Sequence, residues 1–431
     1  MQSTSRTGLH RPVNSTSIVP LIAALACPVL AVGCAPGGDE AGSGADSSGV
    51  TMADSSGVEV VTNRGAGWGP DEAWELVADL QVGELDGPLA FGRITWVSPG
   101  PDDGMLVLDG QTQLVHVFDS AGRSAGRFGG EGEGPGEFLR PAAVTPLRDG
   151  RVAVSEAFPS VLHWLSLGGD YLSSTRLPSA RDEAATRTVG TFGAWQVSSD
   201  GRAFVQVQVF DPSAETGEIP VILMEVDPDG VVSPDTIAAW TVNVDFTDPT
   251  IRFFEPNHTW MPRSDGVIAL SAGSPYEIQL HEPSAGLQRI VRREVDPVPV
   301  TERHREREIA RMREGASAFP GAASRVEEML DNAEFEATVP EVQRVWVSDP
   351  DGRLWIGVHD PGLFDLEEDS SLGPWTNALD VFEPDGKYLG RVPVPDGFQL
   401  RVVTEHALYG VWEDDLEVPF ARRYRVVRPG A

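Results

Sequence analysis

Short apolar runs, each introduced by Asp-Gly, recur along most of the chain. Met105-Leu-Val-Leu108 follows Asp103-Gly104, and Arg151-Val-Ala-Val154 follows Asp149-Gly150. Arg202-Ala-Phe-Val205, Val267-Ile-Ala-Leu270 and Arg353-Leu-Trp-Ile356 follow Asp200-Gly201, Asp265-Gly266 and Asp351-Gly352. Asp-Gly between apolar runs predicts a tight hairpin, because glycine takes the positive φ that the turn needs. A second turn glycine follows in each unit, at Gly122, Gly169, Gly230, Gly286 and Gly386. Each unit therefore predicts four short antiparallel strands. A sixth unit supplies only three, at Leu400–Val403, Leu408–Trp412 and Arg423–Val427. Its fourth strand would come from the N-terminal side, where Val58–Thr62 and Trp74–Val82 are available. Units that repeat and then borrow a terminal strand to remove an open edge predict an all-β, six-bladed β-propeller.

Two stretches interrupt this rhythm. Gly129–Gly136, within Arg127–Pro141, is a Gly/Pro hinge between blades one and two. It lacks the Lys-Ser/Thr ending of a phosphate-binding loop, and no helix is predicted after it. Thr301–Val339 has helical spacing instead, with Ile309, Met312 and Ala316, then Val326, Met329, Leu330 and Ala333. Gly315 and Pro320 are expected to separate two helices, giving a helical hairpin between blades four and five. The charge along the first helix keeps most of its surface wet, so the hairpin decorates one rim or, alternatively, covers the central channel.

The N-terminal segment carries an address. Arg6 and Arg11 precede an apolar stretch, Ile18 to Val32, that is short for a membrane span. It ends in Leu30-Ala-Val-Gly-Cys34, which resembles the lipobox of bacterial lipoproteins, with Ala31 where that family usually has Leu. The resemblance implies a signal peptide over 1–33 and a lipidated Cys34; Cys27, followed by Pro28, fits less well. Residues 34–57 are Gly/Ser/Asp/Ala-rich, with Ala45-Asp-Ser-Ser-Gly-Val50 echoed at Ala53–Val58, and read as a flexible tether. The propeller is then expected over 58–431. Both cysteines lie in the leader, so the body has no disulfide and no thiolate metal site. The expected location is the cell envelope, on the periplasmic or outer-membrane side, held to the membrane by a lipid anchor.

Charge and missing motifs narrow the function. A formal net charge of −32 with no basic face excludes nucleic acid as a partner and favours a soluble, self-repelling monomer. His304-Arg-Glu-Arg-Glu-Ile309 has no second histidine one helical turn on. No nucleophile elbow appears, and Asp365–Asp369 lacks the spacing of a calcium loop, so neither metal nor cofactor is expected. Aligning the six inner strands on their last apolar residue, and counting back four, gives Arg93, Arg140, Gly193, Asn257, Gln343 and Gln399. Arg93 and Arg140, assisted by Asn257, Gln343 and Gln399, would form a channel-mouth site for a small anionic or saccharide ligand. The sequence favours a binding or protein-interaction module over an enzyme. The alternative, a propeller hydrolase or lyase with a metal at the channel, has two arginines against it.

The repeats resemble NHL-type propeller repeats. Gly132-Glu-Gly-Pro-Gly-Glu-Phe138 with Pro141 is similar to the entry segment of that repeat. Val107-Leu-Asp109 with Val115-His-Val-Phe-Asp119 is similar to its middle, with Thr112, Leu114 and Glu156 departing from the pattern. From the lipobox to the strand holding Tyr424, the chain resembles bacterial six-bladed propeller lipoproteins. The resemblance implies a fold and a tethered placement, and no particular activity.

Overall fold

The Asp-Gly turns set the blade geometry. In a computed structural model, Gly150, Gly201, Gly266 and Gly352 have positive φ between 70° and 90°. Each closes a turn onto the residue three or four positions back, as in Gly150 N–H to Leu147 O at 3.1 Å. Gly104 differs: its φ is −88°, and Asp102 and Asp103 take the left-handed conformation instead. The structure describes residues 49–429 apart from 66, 70, 157–159, 177–187, 192–194, 211–216, 228–230, 244–249, 318–322, 364–375, 415 and 417. The leader, Cys34, Gly193, Gly230, Pro320 and the Asp365–Asp369 run lie outside the described residues.

Among the described residues, six sheets form the blades, antiparallel apart from one parallel pairing at the edge of blade 4. Their innermost strands are Ile94–Pro99, Pro141–Pro146, Gln196–Val197, Thr259–Pro262, Arg344–Val347 and Phe398–Val403, in blades 1 to 6. The core is divided into six apolar clusters, one at each blade–blade interface. The widest, between blades 4 and 5, joins Ile278, Leu280 and Val291 to Leu354, Ile356 and Phe382.

Closure comes from the N-terminal side, as the incomplete sixth unit requires. Glu75–Val82 pairs antiparallel with Pro419–Val427 and becomes the outer strand of blade 6. Arg423 is buried there, with Nε and Nη2 on the two oxygens of Asp79 at 2.8 and 3.0 Å. Its Nη1 reaches the carboxylate of Asp103 in blade 1 at 3.0 Å, so one side chain joins the closing strand to both ends of the ring.

The tether expectation needs correction. Val50–Ser55 is a strand inside the predicted 34–57 tether, and it pairs in antiparallel register with Val58–Asn63. The Asp54-Ser-Ser-Gly sequence, read as low complexity, forms the turn: Ser56 and Gly57 both have positive φ, and Asp54 accepts the Gly57 N–H at 3.1 Å. Polar composition failed as a guide because the pairing is supplied by the backbone. Val58–Asn63 runs parallel to Gly286–Arg293 and extends blade 4 to six strands.

From there the chain continues as a strap along the outer rims. Asn63 is buried between blades 4 and 5, donating to the carbonyls of Arg292 (3.0 Å) and Gly386 (2.9 Å) and accepting the Tyr388 N–H (2.8 Å). Trp68 then donates its N–H to Leu389 O on blade 5 at 2.6 Å, and its ring stacks toward Trp74. A Cβ at Gly390 would lie 2.1 Å from the Trp68 ring, so only glycine fits beneath the strap.

The insertion is helical, as its spacing predicts: α1 spans Glu302–Ser317 and α2 spans Ala323–Asp331. Gly315 lies within α1 and does not end it. The buried positions of α1 are His304, Glu308 and Ala316, so its inner stripe is half polar. Short strands Arg252–Phe253 and Glu334–Phe335 fasten the insertion to the connection between blades 3 and 4. His304 lies against Phe254 and against His359 of blade 5, with ring centroids 6.0 and 5.4 Å apart.

Candidate functional site

A propeller's axis is lined by its inner strands, and here three of the six carry a bulge at the same level. Thr95 is the extra residue in blade 1, Ala142 in blade 2 and Arg401 in blade 6. A bulge adds one residue and reverses the in–out parity beyond it. A fixed count of four back from the last apolar residue therefore crosses a bulge in blades 1, 2 and 6 and none in blades 4 and 5. The five predicted site residues cannot share one face for this reason.

Their positions follow. Arg93 is exposed on the connection into blade 1 and its guanidinium donates to the Gly110 carbonyl. Arg140 is exposed on the connection into blade 2, where its backbone N–H donates to Glu156 at 2.8 Å. Asn257 is exposed and donates to the Glu255 carbonyl at 3.0 Å. Gln343 is half-buried and accepts the Thr376 hydroxyl at 2.7 Å. Gln399 accepts from Arg401 Nη2 at 2.8 Å and is the one of the five bonded to a channel cation.

The channel arginines are Arg344 and Arg401, which the fixed offset passes over. Arg401 is the bulged residue of its strand, and its Nε donates to the Thr95 carbonyl, itself at a bulge, at 3.2 Å. Burial, then repulsion from Arg344, push its guanidinium down to about 10, against a smaller opposing pull from Glu413. Arg344 opens the inner strand of blade 5 and lies over the Trp346 ring at 5.3 Å. Its side chain is exposed, although the protein packed near its guanidinium lowers its pKa as well. No hydrogen bond or ion pair to another described residue holds its guanidinium. Most arginines of this acidic chain are paired with a carboxylate, as at Arg202–Glu225 and Arg353–Glu383. These two are gathered at the axis without one. The readable signal was alternation within each strand, which puts Arg344 and Trp346 on one face.

Beside Arg401, toward the Asp-Gly turns, the channel contains a compartment of about 130 Å³. Every inner strand contributes apolar side chains to it, among them Trp96, Val144, Val197, Met261, Val347 and Val403. Trp96 Nε1, Ser98 Oγ and Trp346 Nε1, all on residues lining it, are buried donors without a protein acceptor. Beyond it the turns interlock. Arg148 of blade 2 donates its backbone N–H to Ser199 of blade 3 (2.9 Å) and pairs with Asp349 of blade 5 at 2.6 Å. Blades 2 and 5 face each other in a six-membered ring, so this pair crosses that mouth.

A larger cleft of about 390 Å³ lies between blades 4 and 5, lined by Tyr276, Arg293, His359 and Arg391 among others. Its cations are already neutralised. Asp380, fully buried, accepts from Tyr276 (2.9 Å), Tyr388 (3.1 Å), Arg293 Nη1 (3.0 Å) and Arg391 Nε (2.7 Å). Arg391 also pairs with Asp360 at 2.7 Å. Burial and the Asp380 charge raise both tyrosines, which stay protonated donors. This network fastens two blades, so electrostatics favour the smaller axial compartment as the ligand site. Among the described residues, no group of three or more His, Cys, Asp or Glu is placed to hold a metal ion, and no helix is long and apolar enough to cross a membrane.

No family model and no curated protein sequence matches this chain. Solved structures do. A member of the DUF4221 family from Bacteroides vulgatus aligns over 84% of this chain and 100% of its own, at 10% identity and a TM-score of 0.50. The likeness is one of fold. A Bacteroides fragilis protein described as a candidate exported protein aligns over 86% of this chain and 99% of its own, at 11% identity and a TM-score of 0.49. Virginiamycin B lyase from Staphylococcus aureus aligns over 82% and 100%, at 7% identity and a TM-score of 0.40. Identities this low transfer no activity to the chain.

Proposed function

We propose that the chain is a membrane-tethered binding protein of the cell envelope that holds a small anion in its axial channel and does no chemistry on it. The observation behind this reading is the pair Arg344 and Arg401: one exposed and one half-buried guanidinium, close enough to repel each other, with no carboxylate bonded to either. Like charges kept together at a cost are useful when a carboxylate or phosphate is the missing counter-charge. Arginine presents donors in a planar fork suited to either group. The alternative of a hydrolase or lyase with a channel metal is disfavoured by the same pair, which would repel a cation. Cys34 at the lipobox-like Leu30–Cys34 would carry the anchor, and the NHL-like repeats agree with a tethered propeller lipoprotein.

Isothermal titration of the purified propeller with acetate and inorganic phosphate at low ionic strength tests the site. Wild type should bind at least one of them, more weakly as salt rises, and the Arg344→Gln/Arg401→Gln double variant should bind neither while keeping its thermal midpoint. An anion affinity unchanged in the double variant would refute the site. For the tether, Cys34→Ser should move the protein from the membrane to the soluble fraction. Wild type that is itself soluble and unlipidated by mass spectrometry would refute the anchor.

A further inference from the structure

The axial site has a second half. On one side of Arg401 is Arg344, and on the other is a compartment to which every inner strand gives apolar side chains, with Ser98, Ser198, Ser348 and Asp349 among its polar lining. A bare inorganic anion would leave the apolar part of that wall unused. An apolar cavity of about 150 Å³ accepts a benzene ring, and this mixed one measures about 130 Å³. Resting on the anion-binding reading above, we infer that the ligand is a small amphiphilic carboxylate, with its head group on Arg401 and Arg344 and a ring-sized apolar body against Trp96, Met261 and Val347.

The fit is chemical as well as volumetric. Trp96 gives the compartment an aromatic face, and Val197, Met261 and Val347, each partly exposed, give it aliphatic ones. Offset or edge-on contact of an aryl ring with tryptophan adds to what area burial alone supplies. Trp346, buried behind them, carries the Arg344 guanidinium over its ring at 5.3 Å. The orientation is fixed too. The opposite mouth is crossed by Arg148 and Asp349 at 2.6 Å, which leaves the arginine side as the place for a charged head group in contact with water.

Titrations of the intact propeller with benzoate, acetate and phenyl phosphate test the class. Benzoate should bind at least about tenfold more tightly than acetate, the order expected when an apolar pocket distinguishes a ring from a methyl group. Val347→Phe should remove that preference by filling the compartment, so that benzoate and acetate bind this variant with equal affinity. If Val347→Phe lowers the thermal midpoint, Val347→Ile is the milder filler and should reduce the preference in part. Phenyl phosphate binding far above benzoate would overturn the carboxylate assignment while keeping the ring. Equal affinities for benzoate and acetate would overturn the apolar half and leave the anion site standing. Failure of all three to bind would overturn this inference, and failure of inorganic phosphate as well would overturn the function beneath it.

Discussion

One buried ion pair reinforces the strand pairing that closes the ring, and its contribution can be calculated. Asp79→Asn keeps the shape of the side chain but sets an amide N–H against the donors of Arg423, whose side chain is 4% exposed. Arg423 would retain only the exposed Asp103 as a charged partner. Removing one member of a buried pair costs about 3 kcal/mol, because the remaining charge is stranded. At about 2.1 cal/mol/K per residue, the unfolding entropy of a propeller this long is ~0.8 kcal/mol/K, so the midpoint should fall by about 4 °C. The pH dependence gives the cause. Burial opposes ionisation of Asp79, but the hydrogen bonds and charges of Arg423 and Arg425 outweigh it and hold the carboxyl below its usual range. A depressed carboxylate stabilises the fold above its unfolded pKa of about 3.9 and loses that contribution as pH falls through the folded value. Thermal unfolding by circular dichroism from pH 7 to pH 3 should therefore show the full deficit of Asp79→Asn down to about pH 4, and a shrinking one below. A deficit that stays constant to pH 3, or none at pH 7, would refute the pair as the latch.

Other substitutions test the strap and the channel. Asn63→Ala strands the Tyr388 N–H and the carbonyls of Arg292 and Gly386 in a buried joint and should cost about 3 kcal/mol in urea denaturation; a loss under 1 kcal/mol would mean water replaces the amide. Gly390→Ala should lift Trp68 from blade 5, seen as a fluorescence red shift together with a lower midpoint. Arg401→Gln should leave the midpoint near pH 7 unchanged or higher, because its charge is a cost in the folded state; that gain should shrink as pH rises through about 10, where wild type begins to shed the charge.

What could be read from the chain follows from which features are local. An Asp-Gly turn is specified by its own φ requirement, so Gly150, Gly201, Gly266 and Gly352 marked the blades correctly. The loan to blade 6 was legible because three strands leave an open edge, and Glu75–Val82 fills it. The site was not, because a bulge leaves no mark in composition. Thr95, Ala142 and Arg401 each reverse the parity of their strands, so one offset applied to six strands selected Arg93 and Arg140, which lie on the entry connections. The pairing of Val50–Ser55 was hidden likewise, since a polar segment can be held by backbone hydrogen bonds to the adjoining strand Val58–Asn63, which is itself held by the distant Gly286–Arg293. On α1, His304 and Glu308 occupy buried positions that periodicity assigns to apolar residues; the Thr301 N–H donates to His304 Nδ1, and Arg311 pairs with Glu308.

The central claim is that the axial arginines hold an anion whose body enters the compartment against Trp96, Met261 and Val347. A crystal soaked with 4-bromobenzoate and measured at the bromine absorption edge tests it directly. The account predicts one dominant anomalous peak inside the ring of Trp96, Val144, Val197, Met261, Val347 and Val403, with the carboxylate on Arg401. A dominant peak beside Arg293 in the cleft between blades 4 and 5, or no peak at a concentration that saturates binding in solution, would contradict it.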